Sequence, residues 1–581
     1  MSQEMEMVKI TINNIPVEVP KGTKIMKAAE KIGIDIPHLC YHEDQRLKSR
    51  CRLCSVEVTG KKRLYAACST EVWDGMDIHT DTESVRDSQE VILEMLLAHH
   101  NQDCLACSRN QTCELQRLCS RFNIQSSKLP SVCKPEEKIV TNAAIVRDPS
   151  KCVRCGRCIR TCKDVQGIEA LCFAGRTSDI RVTTAYDKPM ESTDCVLCGQ
   201  CSLVCPVGAI VEKDDTDRVL DALRDPKKHT LVQVAPSVRV ALGDAFGGKP
   251  GEIVTGKMVT ALKMLGFDKV FDTNFGADLT IMEEGAEFLH RLQNGGTLPM
   301  ITSCSPGWVN FMEKHFGDQR DHLSTAKSPM SIFGAIAKTY YPEKVGIDVK
   351  NLVTVSIMPC TAKKFEAARP ELGRNGMQDT DLVLTTRELV KLIKYVGLDF
   401  EKLPESEFDS PLGTGSGAGA IFGATGGVME AALRTVYETA TSKTLERIDF
   451  TDVRGMKGIK EATISLNGRD IHIAVAHTLK NARKIMEDVA RGTSPYDFIE
   501  VMACPGGCLG GGGQPVGTTN AIRQKRMEAL YEIDRNLPIR KSHENPEIQT
   551  LYKEFIGEPL SKKAHELLHT HYHKVSPCYE F

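Results

Sequence analysis

The cysteines constrain this chain before anything else does. There are 23 of them in 581 residues, and eighteen fall before residue 206. Secreted disulfide scaffolds use cysteine this densely, but they are short and carry an export signal. This chain is long, its cysteine count is odd, and its opening "MSQEMEMVKITINN" lacks a charged segment followed by an apolar one. Clustered thiols in a reducing compartment are expected to be metal ligands. Composition adds exclusions. With 41% hydrophobic and 26% charged residues and a formal net charge of -2, no basic excess points to nucleic acid or a membrane surface. No apolar run of 18 residues occurs, so a cytoplasmic location without membrane contact is expected.

Spacing sorts the front cysteines. From Val8 the chain reads as a hairpin about Asn13-Asn14 and a short helix from about Lys24, followed by Cys40, Cys51, Cys54 and Cys68. Four thiolates in one small strand-rich unit suit a [2Fe–2S] cluster, with zinc as the competing reading and without the plant-type C-x4-C-x2-C spacing. A helix over "SQEVILEMLLAHH", flanked by Asp87 and Glu90 as a capping box, leads to His100, Cys104, Cys107 and Cys113. Taken alone, this set fits Cys3His zinc as well as a cluster, and His99 competes with His100. Next, Cys152, Cys155, Cys158 and Cys162 repeat as Cys195, Cys198, Cys201 and Cys205. Two copies of C-x2-C-x2-C-x3-C are the two-cluster bacterial ferredoxin signature, in which each fourth cysteine crosses over. Cys162 therefore joins Cys195, Cys198 and Cys201, and Cys205 joins Cys152, Cys155 and Cys158. Cys119, Cys133 and Cys172 are left as packed or buried thiols.

Beyond residue 213 short β-branched runs alternate with helical stretches, which argues for parallel α/β sheets. Cys304 ends "PMITSC", Cys360 ends "LVTVSIMPC" and Cys504 ends "FIEVMAC", with Cys508 close behind. Functional loops gather at the carboxyl ends of strands in such sheets, so these four thiolates are expected to converge on one cluster. The glycines after Cys508 would let the backbone approach an inorganic centre.

"TSCSPGW", "MPCTAKKFE" and "EVMACPGGCLGGGGQP" resemble the three signature loops of [FeFe]-hydrogenases, and "SGAGAIFGATGGVMEAALR" and "RKSHENP" fit the same family. The resemblance spans essentially the whole chain. At the front, the first cysteine set is similar to the β-grasp ferredoxin domain of NADH:quinone oxidoreductase large subunits and long hydrogenases. The second is similar to their His-ligated [4Fe–4S] domain, which favours His100. The resemblance implies a [4Fe–4S] cubane on Cys304, Cys360, Cys504 and Cys508. Cys508 bridges to a di-iron subsite carrying CO, cyanide and azadithiolate, the whole forming the H-cluster. It also implies Lys363 and Ser237 as cyanide donors, Met358 and Met502 as apolar walls, and a proton relay of Glu284, Glu287, Ser324 and an active-site thiol. Read without the family, Glu284 and Glu287 are a solvated helix face with a Glu287–Arg291 surface pair. The first loop departs from the family's Cys-Cys-Pro, reading Cys304-Ser305-Pro306. Counting from the second loop puts Ser305 at the usual ligand position, whereas ligand chemistry favours the Cys304 thiolate.

The expected organisation is a [2Fe–2S] domain at 1–80, a His/Cys3 domain at 81–141, a two-cluster ferredoxin domain at 142–212, a two-lobed α/β catalytic domain at 213–545, and a C-terminal helix and mobile tail at 546–581. No nucleotide or flavin fingerprint is present. Electrons are thus expected to come from ferredoxin, or from flavin- and NAD(P)H-binding and small [2Fe–2S] partner subunits of an electron-bifurcating complex. His565, His569, His571, His573 and Cys578 tempt a metal reading, set aside for an ordinary helix and tail. The alternative to an enzyme is a hydrogen sensor or an electron-wire subunit.

Overall fold

The computed structural model describes residues 6–575 apart from 135, 446 and 447, so Cys578 lies outside the described residues. At the front, a five-stranded sheet runs Ile15–Pro20, Met7–Ile12, Asp77–His79, Ser55–Val58, Tyr65–Ala66. The hairpin turns at Asn13 (φ 47°) and Asn14 (φ 65°), left-handed positions that asparagine tolerates. Helix Ile25–Lys31 buries Ile25, Met26, Ala28 and Ala29 against the sheet. The next helix spans Glu83–Ala98 and is capped by Thr82, whose hydroxyl accepts from Val85 N at 3.3 Å. Asp87 and Glu90 are therefore interior to it, and the expected capping box is corrected.

Two four-stranded sheets build the back half. The first, Lys269–Asp272, His229–Val234, Leu352–Met358, Leu382–Thr385, is parallel throughout. The second, Met300–Ile301, Phe498–Met502, Arg469–His477, Ile459–Leu466, is mixed. Its edge strand Ile459–Leu466 runs antiparallel to Arg469–His477, a correction to the all-parallel expectation. A tight hairpin at Asn467-Gly468, both at positive φ, makes antiparallel pairing unavoidable there. The 22-residue helix Thr273–Asn294 contributes to the cores beside both sheets, with Phe275 and Leu279 on one side and Ala277, Ile281 and Phe288 on the other.

The C-terminal segment packs onto this body. Helices Pro546–Leu551 and Lys562–Leu568 share a core with Phe275, Phe333 and Tyr341. The stretch beyond is also fastened: His573 N donates to Glu313 Oε1 at 3.0 Å, Val575 N to Glu313 O at 3.0 Å, and Lys574 pairs with Asp318 at 2.8 Å. Up to Val575 the expected mobile tail is instead a strap, because these bonds tie it to the end of helix Pro306–His315 and the turn after it.

Candidate active site at the strand ends

The carboxyl ends of both sheets open onto one cavity of about 80 Å3. Cys360 follows strand Leu352–Met358 by two residues, and Cys504 follows Phe498–Met502 by two. Cys304 stands three residues past the short strand Met300–Ile301 rather than at its end. Cys304, Cys360, Cys504 and Cys508 all line the cavity, with Met358, Met502 and Lys363. Ser305, the position reached by counting from the second loop, also lines it, and so does Cys198, which sequence reasoning did not place there. Burial raises all four thiols, Cys508 to about 12, so bare they stay protonated and only a metal centre would hold them as thiolates.

A single zinc ion demands tighter packing. Zinc–sulfur bonds of about 2.3 Å in a tetrahedron put sulfurs roughly 3.8 Å apart. Among the described residues, the only three-residue ligand group closing within 4.8 Å is Glu438, His543 and Glu544, which contains no cysteine. Among the described residues no cysteine set closes that tightly, which suits polynuclear clusters better than one ion. At the front, Cys40 and Cys51 are hydrogen-bonding neighbours, as are Cys54 and Cys68. Two pairs of thiols suit two irons better than one. His100 is buried, held neutral at about 4 chiefly by burial, and its Nδ1 has no partner. His99 instead turns its Nδ1 to Met95 O at 3.0 Å at the helix end. Cys172 is exposed and Cys119 and Cys133 are half-buried, so Cys172 corrects the expectation of a packed thiol.

The front sites abut one another. Arg160 Nη2 donates to Cys40 O at 2.5 Å, and Arg157 pairs with Glu114 at 2.7 Å. Leu39, Cys40, Cys113, Cys155 and Cys205 pack in one cluster. The second ferredoxin loop then meets the cavity: Thr361 Oγ1 donates to Leu197 O at 2.9 Å and Gln200 Nε2 to Gly510 O at 2.7 Å. The glycine run serves this contact. A Cβ on Gly511 would lie 2.2 Å from Pro359 O, and one on Gly512 would lie 2.3 Å from Cys198 O. Most of the run therefore brings backbone against backbone, while Gly511, with Gly507 before Cys508, lines the cavity as expected of a glycine there.

Around the cavity, Lys363 Nζ donates to Ser328 Oγ at 2.7 Å, Glu366 Oε2 at 2.7 Å and Cys304 O at 3.2 Å. Ser237 is fully buried behind Pro236 and donates to Cys508 O at 3.5 Å. The two glutamates are not a solvated face. Glu287 is fastened by Arg291 Nη2 at 2.6 Å, Thr325 N at 2.9 Å and Ser324 Oγ at 3.0 Å. Glu284 is buried, with Ser324 and Ser303 near its carboxyl but no oxygen in a well-formed hydrogen bond, and burial, reinforced by the Glu287 charge, pushes it up to about 8. The motif "RKSHENP" explains itself here: Ser542 and Asn545 donate to buried Asp278 at 2.7 and 2.9 Å, beside Ser416. Sequence reasoning missed Glu283, which accepts from His569 Nε2 at 2.9 Å and from Tyr552.

Such a body, with clustered-thiol modules leading to a buried apolar four-thiol cavity, defines an iron–sulfur oxidoreductase. Family models match along the chain: "2Fe-2S iron-sulfur cluster binding domain" at 5–83, "NADH-ubiquinone oxidoreductase-G iron-sulfur binding region" at 89–128, "NADH-quinone oxidoreductase subunit 3, ferredoxin-like domain" at 143–211, "Iron only hydrogenase large subunit, C-terminal domain" at 228–512 and "Iron hydrogenase small subunit" at 520–575. The chain belongs to the iron-only, or [FeFe], hydrogenases and is an oxidoreductase acting on H2. It is 49% identical to the NADP-reducing hydrogenase subunit HndD of Solidesulfovibrio fructosivorans over 98% of this chain and 99% of that one. It is 43% identical to iron hydrogenase 1 of Clostridium pasteurianum over 97% of this chain and all of that one. A solved apo form of [FeFe]-hydrogenase HydA1 from Chlamydomonas reinhardtii, 45% identical, covers 62% of this chain and 99% of its own with a TM-score of 0.57.

Proposed function

We propose that this hydrogenase interconverts H2 with two protons and two electrons in the cavity between its sheets. One [2Fe–2S] and three accessory [4Fe–4S] clusters would carry the electrons. The observation that carries the reading is that thiols from three separate loops line one buried cavity, with Cys198 of the ferredoxin domain in the same wall. The first set is Cys40, Cys51, Cys54 and Cys68. The second is His100, Cys104, Cys107 and Cys113, and the remaining two are the crossed ferredoxin sets. Cys360, Cys504, Cys508 and the first loop would hold the H-cluster, Cys508 bridging to the di-iron unit with its CO, cyanide and azadithiolate. When bound, that unit supplies the redox centre at which H2 is made or split.

The chain's own residues bind, wall and deliver. Met358 and Met502, both buried, keep water from the cavity. Lys363, anchored by Glu366 and Ser328, presents a cation beside anionic ligands, and Ser237 steadies Cys508 from behind. Protons enter at Glu287, pass Ser324 and reach Glu284. At neutral pH Glu284 is protonated, so it hands a proton inward to the Cys304 side and is reloaded from Glu287. Electrons are exchanged with ferredoxin, or with flavin- and NAD(P)H-binding and small [2Fe–2S] subunits of a bifurcating complex in the cytoplasm. Similarity to HndD, a subunit of an NADP-reducing hydrogenase, supports heteromeric assembly. No helix among the described residues is long and apolar enough to cross a membrane.

The test is an infrared spectrum of anaerobically matured protein in the window of iron-bound CO and cyanide. Bands that shift under H2 are expected. Their absence, with the other clusters intact, would leave an electron wire ending in a fifth cubane and would remove the enzyme reading.

A further inference from the structure

The first signature loop offers two side chains, Cys304 and Ser305, for one ligand position, and the fold separates them. The charges acting on the Cys504 thiol are those of Cys360 and Cys508, and Cys360 acts in turn on Cys508. These three thiols are mutual neighbours in the cavity wall. Cys304 is turned differently: its foremost charged neighbour is Glu284, ahead of Cys508. It packs with Met502 and Phe422 in the apolar cluster that flanks the Glu284 helix. Ser305 takes the other direction. It is the N-cap of helix Pro306–His315, in extended backbone with φ -100° and ψ 103°. A serine there ordinarily caps its own helix by accepting from the second or third N–H. This hydroxyl makes no such bond and instead reaches across the loops, accepting from Ala503 N at 3.2 Å, next to Cys504. It donates to no acceptor among the described residues while lining the cavity.

We propose that Ser305 Oγ, and not the Cys304 thiol, is the fourth protein ligand of the cubane, leaving Cys304 as a free thiol between Glu284 and the cavity. The proposal rests on the hydrogenase reading above. Ligation forms one iron–oxygen bond and releases the Ser305 hydroxyl proton to water. The N-terminus of a ten-residue helix and the Ala503 N–H both favour the resulting oxyanion. Thiolate is the softer match for an iron–sulfur cluster, which argues for Cys304. Position overrides it, because a fourth ligand must reach the cluster that Cys360 and Cys504 already hold. The unliganded thiol is then placed to pass protons between Glu284 and the reacting centre.

The experiment uses full-length protein assembled without di-iron insertion, so that the cavity holds the cubane alone. Iron per chain, the electron paramagnetic spectrum and the midpoint potential are measured for wild type, C304A, S305A and S305C, with thermal melting as the check on folding. C304A should keep the cubane's iron and spectrum. S305C should keep the iron with a changed signal and a less negative potential, since thiolate replaces the more strongly donating alkoxide. Folded S305A should lose the cubane or change its spectrum; if S305A does not fold, S305C decides. Loss of cubane iron in C304A overturns the assignment, as does a folded Ser305 variant indistinguishable from wild type. Absence of a cavity cluster in wild type itself would mark failure of the hydrogenase reading instead.

Discussion

Glu284 is the residue whose chemistry is most altered by its surroundings. Burial, with the neighbouring Glu287 charge, pushes its carboxyl up to about 8. An acid whose folded pKa lies above its unfolded value binds protons in the folded state that the unfolded state has lost. Between about pH 4.5 and pH 8 it therefore costs stability as pH rises, by up to about 1.4 kcal/mol per unit. E284Q should become progressively more stable than wild type across that window, read as the difference in denaturation midpoints at several pH values. The same variant should lose about 10²- to 10⁴-fold in H2 turnover while its accessory-cluster spectra stay unchanged, since it keeps the shape but no longer transfers a proton. The i,i+3 spacing of Glu284 and Glu287 was legible in the sequence, but alone it read as a solvated face. Ser324 and Thr325, arriving from 37 and 38 residues away, are what fasten Glu287 into the proposed path.

Loops rather than sheets do the exacting work among the elements. The Gly511–Gly513 turn lies against Pro359, Cys198 and Thr385 so closely that a single methyl has no room. G512A should force the turn away from the ferredoxin loop, destabilise the protein by roughly 1–3 kcal/mol and slow electron passage. Iron content together with turnover by a donor that enters through the front clusters checks this. The C-terminal strap makes a second prediction. His569 satisfies Glu283 at 2.9 Å and Thr325 at 2.7 Å, both inside the body. H569A leaves the Glu283 carboxylate short of a partner, and we expect a loss of about 2–3 kcal/mol, visible as a lower melting temperature. The histidine pattern in the tail was visible in the sequence. Its partner was not, because Glu283 lies 286 residues away on another helix.

At the scale of the whole molecule the front modules abut the loops of the cavity, the contact that the proposed electron path requires. Loss of the second ferredoxin cluster should separate its two ends. C201A is expected to abolish H2-driven reduction of a protein acceptor while hydrogen–deuterium exchange in the cavity persists, because exchange needs no electron to leave. Acceptor reduction and exchange measured on the same sample check this. The sequence by itself determined the paired ferredoxin cysteine runs and the order of modules, because ligand spacing within a loop is set by the few residues between the cysteines and survives any packing. It also determined the strand-and-helix alternation and the Asn13-Asn14 turn, both local properties of side chain and backbone. Only the tertiary structure decided the antiparallel edge of the second sheet, the fastening of the strap and the entry of Cys198 into the cavity wall. It alone turned Cys304 toward Glu284 and Ser305 toward Cys504. Those outcomes depend on contacts across hundreds of residues, where close packing and hydrogen bonding choose between neighbours that short-range spacing leaves equivalent.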